Sequence, residues 1–284
     1  MNILITGCNG QLGSERQQLQ PLYPDLTFYN TDVDQLDITD PKAIEQCLQA
    51  NDINGIINCA AYTAVDKAEG NEVICRQLNA EAPGFLASAI SQRGGWIIHI
   101  STDYVFDGTS HLPYTEDMPT CPTSAYGRTK LEGEKNVLHY CRQAVIIRTA
   151  WLYSSFGNNF VKTMLRLGAE RPDLGVVFDQ IGTPTYAADL AKAIMSIISK
   201  GIKPGIYHYS NEGVTSWYDF ALAIHRLAGI TNCRVRPLHT SEYPTPACRP
   251  HYSVLDKTKI KQVFSIDIPH WEVSLADCIS KLNQ

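Results

Sequence analysis

The residues best suited to chemistry are Tyr126 and Lys130, which lie four positions apart in a stretch, residues 124–134, that reads as the start of a helix. On a helix this spacing puts both side chains on one face. Tyrosine is a poor acid at neutral pH unless a neighbouring cation lowers its pKa, and a lysine one turn away supplies such a cation. We therefore expect Tyr126 to be a proton donor that Lys130 activates, although the spacing alone is common.

A hydroxyl group follows the fourth buried apolar run of the chain. Ser101 and Thr102 come directly after residues 96–100, whose sequence is Trp-Ile-Ile-His-Ile. In open parallel sheets, ligands bind at the carboxyl ends of the strands. A hydroxyl at this point would bond a substrate oxygen and orient a carbonyl, and either residue is a candidate for that role.

A glycine-rich loop lies before both groups. It follows the first apolar run, opens a helix and reads Gly7-Cys8-Asn9-Gly10-Gln11-Leu12-Gly13. Glycines at this spacing permit a tight turn and let backbone N–H groups approach a diphosphate, and the helix dipole adds a favourable field. The alternative is an ordinary strand–helix turn that binds nothing. The loop, the hydroxyl and the Tyr126–Lys130 pair together indicate a dinucleotide-dependent carbonyl reduction.

Acidic residues after the second apolar run bear on the choice of cofactor. Asp32 stands about twenty residues after the loop, where a carboxylate hydrogen-bonds a ribose 2′-hydroxyl and repels a 2′-phosphate. This favours NADH over NADPH, while Arg16 leaves NADPH open. Asp37 would accept a bond from the adenine amino group, and Ile38 would pack on the ring. The alternatives are a solvated turn for Asp32 and, for Asp37, a turn before a helix that Asp40 caps.

Short apolar runs alternate with amphipathic stretches over the first 150 residues. Consecutive apolar positions rich in Ile and Val predict strands of a parallel sheet that is covered on both faces. Residues 41–50 predict a helix that Asp40 caps and Pro41 begins. The alternation predicts an α/β fold with a doubly wound parallel sheet of Rossmann type. The predicted strands span residues 2–6, 26–30, 55–58, 96–100 and 144–148.

After residue 150 this alternation breaks down. Helices are predicted at residues 159–169, 187–199 and 217–227, and strands at 176–178 and 205–210. Residues 236–250 carry four prolines and are expected to be extended or looped. We predict a dinucleotide-binding domain of residues 1–150 plus roughly 180–205. A smaller, sequence-interleaved substrate region would comprise residues 151–179 and 206–284.

Composition restricts the class of protein. Hydrophobic residues make up 44% of the chain and charged residues 19%, which are globular values. The net charge of −5 argues against non-specific nucleic-acid binding. The 9 cysteines, odd in number and without a Cys-x-x-Cys pair, are expected to be free thiols in a reducing cytosol. The chain shows neither a leader pattern nor an apolar run of about 18 residues, so we predict a cytoplasmic protein without a membrane segment.

These residues resemble the extended short-chain dehydrogenase/reductase family, and within it the dTDP-4-dehydrorhamnose reductases. The resemblance covers nearly the whole chain, and its later blocks separate this group from general sugar-nucleotide epimerases and dehydratases. It is carried by residues 58–69 (NCAAYTAVDKAE), 101–106 (STDYVF), 126–130 (YGRTK), 148–153 (RTAWLY), 157–164 (GNNFVKTM), 179–185 (DQIGTPT) and 243–250 (YPTPACRP).

The resemblance implies an activity and a set of site residues. The activity is the NADPH- or NADH-dependent reduction of the 4-keto group of dTDP-4-dehydro-6-deoxy-L-mannose to dTDP-L-rhamnose, in polysaccharide biosynthesis. Tyr126, Lys130 and Thr102 would be catalytic. Asp103 and Trp151 would contact the sugar, with a place in the core as the alternative for Trp151. The residues implied for the cofactor are Gly10, Gln11 and Leu12 under the diphosphate, Asp37 and Ile38 at the adenine, and Ala61, Tyr62 and Thr63 along the channel.

Two further candidates rest on chemistry. A substrate diphosphate needs cations or backbone donors in the C-terminal region, and Arg249 is suited to a bidentate contact, with a surface arginine as the alternative. Asn159, at the start of a predicted helix, would hold a phosphate or ribose, or would cap the helix. Some members of the family are described as magnesium-dependent dimers with glutamates at the contact. Glu15 is present here but Ala188 offers no partner carboxylate, so we predict no metal and either a monomer or a homodimer.

Two other functions stay open. One is a non-catalytic NADP-binding regulatory subunit of the same fold, like the one that accompanies methionine adenosyltransferase. The other is a sugar-nucleotide epimerase or dehydratase, which returns the hydride to its substrate on a tightly held cofactor. The intact Tyr126, Lys130 and Thr102 argue against the first, and release of the cofactor after each turnover would distinguish the second.

Overall fold

The computed structural model describes residues 1–283, which form twelve strands and eleven α-helices. The strands are β1 (Asn2–Thr6), β2 (Thr27–Thr31), β3 (Gly55–Asn58), β4 (Trp96–Thr102), β5 (Ala144–Thr149), β6 (Leu152–Tyr153), β7 (Asp173–Val177), β8 (Ile181–Gly182), β9 (Thr185–Tyr186), β10 (Gly205–His208), β11 (Thr215–Ser216) and β12 (Arg234–Leu238). The helices are α1 (Gln11–Gln18), α2 (Pro41–Ala50), α3 (Val65–Ala68), α4 (Glu72–Arg76), α5 (Ala82–Gln92), α6 (Ala125–Tyr140), α7 (Phe160–Glu170), α8 (Ala187–Ser199), α9 (Trp217–Leu227), α10 (Thr258–Phe264) and α11 (Trp271–Leu282). A π-helical turn lies at Gln77–Glu81, and 3₁₀ turns lie at Gln20–Leu22, Asp103–Val105 and Thr240–Glu242.

Within residues 1–283, no helix combines the length and the apolar character needed to cross a membrane.

Six parallel strands form the central sheet in the order β2-β1-β3-β4-β5-β10, which confirms the predicted doubly wound α/β fold. Successive side chains of a strand point to opposite faces. Ile3 and Ile5 therefore pack in the core that α8 covers, while Leu4 packs in the core under α2 and α5. Both faces are buried, which explains why the strand residues are apolar at consecutive positions.

The order of the strands reverses between β1 and β3, and this reversal positions the site. The chain runs outward from β1 to β2 and then returns to the other side of β1 with β3. Thr6, the last residue of β1, is in register with Thr31 and Asn58, the last residues of its two neighbours. The loops after these strands therefore leave the sheet side by side and open the crevice in which such folds bind nucleotides.

The predicted substrate region has a core of its own beside the carboxyl edge of the sheet. Helices α7, α9 and α11 enclose this core, which includes Phe220 and Trp271. Three short strand pairs frame it: β7 with β12, β8 with β11 and β6 with β9. A helical layer thus faces the ends of the parallel strands across the crevice.

Most element boundaries agree with the sequence prediction, and each difference has a local cause. The helices predicted at residues 41–50, 187–199 and 217–227 are confirmed at both ends. β2 begins one residue later than predicted, because the Leu26 N–H closes a turn onto the Tyr23 carbonyl (3.1 Å). The strand predicted at 176–178 begins at Asp173, because it pairs along its whole length with β12.

The predicted domain division needs a correction near residue 205. β10 pairs with β5 through His208, so residues 206–208 belong to the central sheet. Ile260 and Phe264 of α10 also pack in the core that covers the sheet. The chain therefore returns to the nucleotide-binding half twice after leaving it, which the composition of residues 206–284 does not reveal.

Candidate active site

One large cleft of about 1110 Å³ lies at the carboxyl edge of the sheet, between the sheet and the substrate region. It brings together nearly all the residues that the sequence singled out. The predicted residues that line it are Gly7, Gly10, Gln11, Leu12, Gly13, Asp32, Asp37, Ile38, Ala61, Thr63, Thr102, Asp103, Tyr126, Lys130, Trp151, Asn159 and Arg249.

The glycine loop packs so closely against its own backbone neighbours that Gly7 and Gly13 leave no space for a Cβ. Gly7 has a φ of +66°, and a Cβ there would lie 2.7 Å from the backbone of Ala60. A Cβ on Gly13 would lie 2.4 Å from the Gly7 carbonyl oxygen. Helix α1 begins after Gly10, which offers no side-chain cap, so the first N–H groups of the helix stay available to a bound anion. This donor set fits the diphosphate of a dinucleotide.

Asp32 lies in the cleft and braces the glycine loop. Its carboxylate accepts the N–H groups of Asn9 (3.0 Å) and Val33 (2.9 Å). Arg16, in contrast, is fully buried and does not line the cleft; its guanidinium bonds Asn30 and lies 4.5 Å from the ring centroid of Phe28. Arg16 therefore does not face the cleft, where a ribose 2′-phosphate would bind. The sequence argument that Arg16 could favour binding of NADPH is corrected accordingly.

Asp37 and Ile38, which were predicted to meet the adenine, both line the cleft. Asp37 accepts bonds from the Thr39 hydroxyl (2.7 Å) and N–H (2.8 Å), and the Thr39 hydroxyl holds the pKa of the Asp37 carboxyl below its usual range. Asp40 caps α2 by accepting the N–H of Lys42 (2.9 Å). The capping role considered for Asp37 thus belongs to Asp40, and Asp37 keeps one carboxylate oxygen for a ligand.

Tyr62 does not line the cleft, unlike its neighbours Ala61 and Thr63. Its N–H donates to the Asn79 side chain (2.8 Å), and its carbonyl accepts from the same amide (3.1 Å). Its ring packs against a small cluster that includes Ala125. The structure therefore places the Tyr62 ring against the first turn of α6, whereas Ala61 and Thr63 line the cleft.

Helix α6 carries Tyr126 and Lys130 into the cleft, and Ser124 caps it by accepting the N–H of Gly127 (3.1 Å). The Lys130 ammonium donates to the carbonyl oxygen of Ile100 at the end of β4 (2.6 Å). Burial lowers the pKa of Lys130 to about 8. The lysine is thus fixed against the sheet, with two N–H donors left for a ligand.

The electrostatics of Tyr126 differ from the sequence expectation. Burial raises the pKa of its phenol, and the Asp103 charge raises it further, while the Thr102 hydroxyl acts in the opposite direction. The Lys130 ammonium faces the Ile100 carbonyl, so the expected lowering of the phenol's pKa by the lysine is not seen. Tyr126 is a protonated group at neutral pH, which is the form that a proton donor requires.

The structure distinguishes the two candidate hydroxyls. Ser101 donates to Glu134, which also forms a buried bidentate ion pair with Arg148 (2.9 and 2.7 Å). Both residues line the cleft, but the Thr102 hydroxyl is bonded to the neighbouring carboxylate of Asp103 (2.9 Å), which itself lies in the cleft. Ser101 is therefore committed to the scaffold, and this supports Thr102 as the hydroxyl that meets a substrate.

Asp103 is a buried acid beside Tyr126. It is 2% exposed, and burial raises the pKa of its carboxyl to about 6. Its Oδ2 has no hydrogen-bond partner among the described residues. A buried acceptor without a partner in a cleft is suited to a hydroxyl of a bound sugar.

Two tryptophans form the wall opposite the glycine loop. Trp151 and Trp217 stack with ring centroids 3.5 Å apart, and both line the cleft. Trp151 has a φ of +48°, a strained conformation for a bulky residue, and such strain tends to occur at functional sites. The sequence analysis identifies Trp151 as a candidate for sugar contact. It assigns Trp217, the first residue of α9, only to a helix.

Asn159 and Arg249 are held by protein partners within the cleft. Asn159 caps α7 by accepting the Lys162 N–H (3.1 Å), and its amide donates to the Gln11 side chain (3.0 Å). It therefore joins the substrate region to the glycine loop. Arg249 forms a bidentate pair with Asp66 (2.9 and 2.6 Å).

Glu15 lies away from the surface. It is 2% exposed and accepts a bond from the Ser154 hydroxyl (2.7 Å), with the Lys281 ammonium 3.7 Å away. The Glu15 carboxylate is thus engaged by Ser154 and lies near Lys281 within the chain.

We expect NADH to support turnover at least comparably to NADPH. Asp32 lines the cleft, and a carboxylate at its position in the sequence is expected to repel a 2′-phosphate. Arg16 does not line the cleft and supplies no cation there. The test compares kcat/KM for both cofactors in the wild type, in Asp32→Asn and in Asp34→Asn, whose exposed side chain does not line the cleft. Asp32→Asn should shift the preference towards NADPH and Asp34→Asn should not. A wild-type preference for NADPH above about tenfold, or about 1.4 kcal/mol, would contradict this assignment.

Comparisons with known proteins extend over the whole chain. Residues 1–284 match the family model described as the RmlD substrate binding domain. The dTDP-4-dehydrorhamnose reductase of Escherichia coli (strain K12) is 40% identical over 293 residues, covering 99% of this chain and 98% of the relative. The crystal structure of a dTDP-4-dehydrorhamnose reductase from Clostridium acetobutylicum ATCC 824 matches with a TM-score of 0.96 at 45% identity, covering 100% of both chains. That of the Bacillus anthracis str. Ames enzyme in complex with NADP matches with a TM-score of 0.94 at 39% identity, covering 99% of both chains.

Proposed function

This chain belongs to the family of dTDP-4-dehydrorhamnose reductases, and we propose that its cleft reduces the 4-keto group of dTDP-4-dehydro-6-deoxy-L-mannose to give dTDP-L-rhamnose. The protein is an oxidoreductase that uses NADPH or NADH. One observation carries the proposal: the glycine loop, Thr102, Tyr126 and Lys130 meet in a single cleft at the carboxyl edge of the sheet.

The cofactor site is built by the nucleotide-binding half. The N–H groups of the glycine loop and of the first turn of α1 hold the diphosphate, and Asp32 receives a ribose hydroxyl. Asp37 and Ile38 meet the adenine, and Lys130 holds the nicotinamide ribose. When bound, the reduced nicotinamide supplies a hydride to C4 of the sugar.

Tyr126 supplies the proton for the same reaction. Its phenol is protonated at neutral pH because burial raises its pKa, and it donates that proton to the oxygen on which negative charge develops. The Thr102 hydroxyl bonds the same oxygen and fixes the direction of the carbonyl. Lys130 acts by position: its ammonium, held by the Ile100 carbonyl, would hold the nicotinamide ribose.

The substrate is held by the opposite wall of the cleft. Asp103 accepts a sugar hydroxyl on its free oxygen, and Trp151 covers the sugar ring. Arg249 meets the substrate diphosphate, and Asn159 contributes from the start of α7. The proposed binding partner is therefore the dTDP-sugar substrate. We also predict a division into two regions, a cytoplasmic location, and either a monomer or a homodimer.

The stoichiometry of cofactor consumption tests this function. With excess 4-keto sugar nucleotide, the protein should oxidise one equivalent of reduced nicotinamide per sugar over many turnovers, followed at the absorbance band of the reduced cofactor. A regulatory subunit would oxidise none. An epimerase or dehydratase would return the hydride to its substrate and leave the cofactor pool unchanged.

A further inference from the structure

Asp66 lies on the nucleotide-binding side of the cleft, in the short helix α3 that follows β3. Its carboxylate accepts Nη1 of Arg249 on Oδ1 (2.9 Å) and Nη2 on Oδ2 (2.6 Å). The backbone N–H of Ala247 donates to the same Oδ1 (3.3 Å). Arg249 lines the cleft, whereas Asp66 contacts Arg249 and is not itself among the residues that line the cleft.

The Asp66 carboxylate holds residues 244–250, a segment that forms few hydrogen bonds to the rest of the described chain. The prolines at positions 244, 246 and 250 lack an N–H to donate. Within the described chain, every hydrogen bond that joins residues 244–250 to other segments goes to Asp66. Packing adds a second contact: Pro250 covers Gly108 so closely that a Cβ on Gly108 would lie 2.5 Å from the proline ring.

Arg249 keeps donors for a ligand while Asp66 holds it. A guanidinium carries five N–H groups, and the bidentate pair uses two of them, so three remain. The Arg249 side chain is 24% exposed and that of Asp66 is 39% exposed. The hydrogen bonds from Arg249 lower the pKa of the Asp66 carboxyl, which keeps the pair charged at neutral pH.

We propose that Asp66 is a positioning residue for the substrate: it holds Arg249, and with it residues 244–250, so that the remaining N–H groups of the guanidinium meet the diphosphate of the sugar nucleotide. This inference rests on the proposed function, because the diphosphate is that of the substrate named there. Asp66 acts through Arg249 and does not itself touch the ligand. An arginine that is already held loses less rotamer freedom when the diphosphate arrives, and this favours binding.

The test replaces Asp66 with asparagine and uses Asp173→Asn as the matched control. Asp173 also pairs with an arginine of the C-terminal region, Arg236 (2.7 Å), but this pair is exposed and does not line the cleft. Asp66→Asn should raise the KM for the 4-keto sugar nucleotide and the Kd for dTDP about tenfold, as expected for one side chain that is no longer immobilised. The value of kcat and the Kd for NADPH should change less than about twofold, and Asp173→Asn should change none of these quantities.

A double-mutant cycle shows whether Asp66 acts through Arg249. In an Arg249→Ala background, Asp66→Asn should add less than about twofold to the Kd for dTDP. Asp66→Glu, which keeps the charge and both oxygens, should bind dTDP with most of the wild-type affinity. If the asparagine variant does not melt cooperatively, Asp66→Ser, which also removes the carboxylate, replaces it in the cycle.

Three results would overturn the inference. They are an unchanged or lower Kd for dTDP in Asp66→Asn, a loss of NADPH binding as large as the loss of dTDP binding, or full additivity in the cycle. Because binding of dTDP needs no turnover, a wild-type protein that binds dTDP but oxidises no cofactor would reject the proposed function and still test Asp66.

Discussion

Replacing Tyr126 with phenylalanine is expected to lower the rate of the chemical step by about 10²–10⁴-fold, the range that a positioned general acid typically contributes. The phenol is the protonated group of the cleft that the proposed mechanism uses as the acid, and phenylalanine cannot donate. Cofactor binding should survive, because the ring keeps its edge-to-face packing on Tyr104, with centroids 5.5 Å apart, and Lys130 still holds the ribose. Single-turnover rates and the cofactor Kd from fluorescence measure the two effects separately.

Tyr140→Phe is the control for this variant, because Tyr140 ends the same helix and is 48% exposed. It should leave both quantities unchanged. A Tyr126→Phe variant that keeps more than about half of the wild-type rate, with chemistry rate-limiting, would show that Tyr126 is not the acid. The mechanism would then be wrong although membership of the family would stand.

Replacing Lys130 with methionine is expected to lower turnover and cofactor affinity together. In the proposed site the ammonium is a charged donor to the ribose. Hydrogen bonds to charged groups are each worth roughly 1.5–3 kcal/mol, which corresponds to about 10–100-fold. Because burial lowers the pKa of Lys130 to about 8, the wild type should lose cofactor affinity as the pH rises through that value and the ammonium deprotonates. The Kd for the cofactor, measured from about pH 7 to about pH 9, should rise in the wild type and stay flat in Lys130→Met.

Lys135→Met is the matched control for the lysine, since Lys135 is exposed on the same helix. It should keep the pH dependence of the wild type. If Lys130→Met loses turnover but binds the cofactor normally, Lys130 does not hold the ribose. A pH dependence that persists in Lys130→Met would assign the titration to another group.

The sequence predicts the parts of this fold that depend on local patterns. Ile3, Leu4 and Ile5 are apolar in a row because the sheet is covered on both faces, and that pattern predicts a strand. Cap residues such as Asp40 mark where helices begin. The order of the loop, the hydroxyl and the helix of Tyr126 along the chain predicts one cleft, because the carboxyl ends of parallel strands share an edge.

Other features depend on contacts that local patterns do not encode. Trp217 reaches the cleft through its stacking on Trp151, which lies 66 positions earlier in the chain. Arg16 is polar, yet its burial against Phe28 removes it from the cofactor site. Asn79 holds the backbone of Tyr62 through two hydrogen bonds and lies in a π-helical turn, an irregularity that hydrophobic periodicity does not predict.

The transfer of a labelled hydride tests the central claim most directly. The protein is supplied with the 4-keto sugar nucleotide and with reduced nicotinamide that carries deuterium at both hydrogen positions of C4, and the isolated sugar is examined by NMR and mass spectrometry. The account predicts one deuterium per product molecule, bonded to C4 of the sugar, with an equal amount of oxidised cofactor released. A product without deuterium, deuterium at another carbon, or no product with either NADH or NADPH would contradict it.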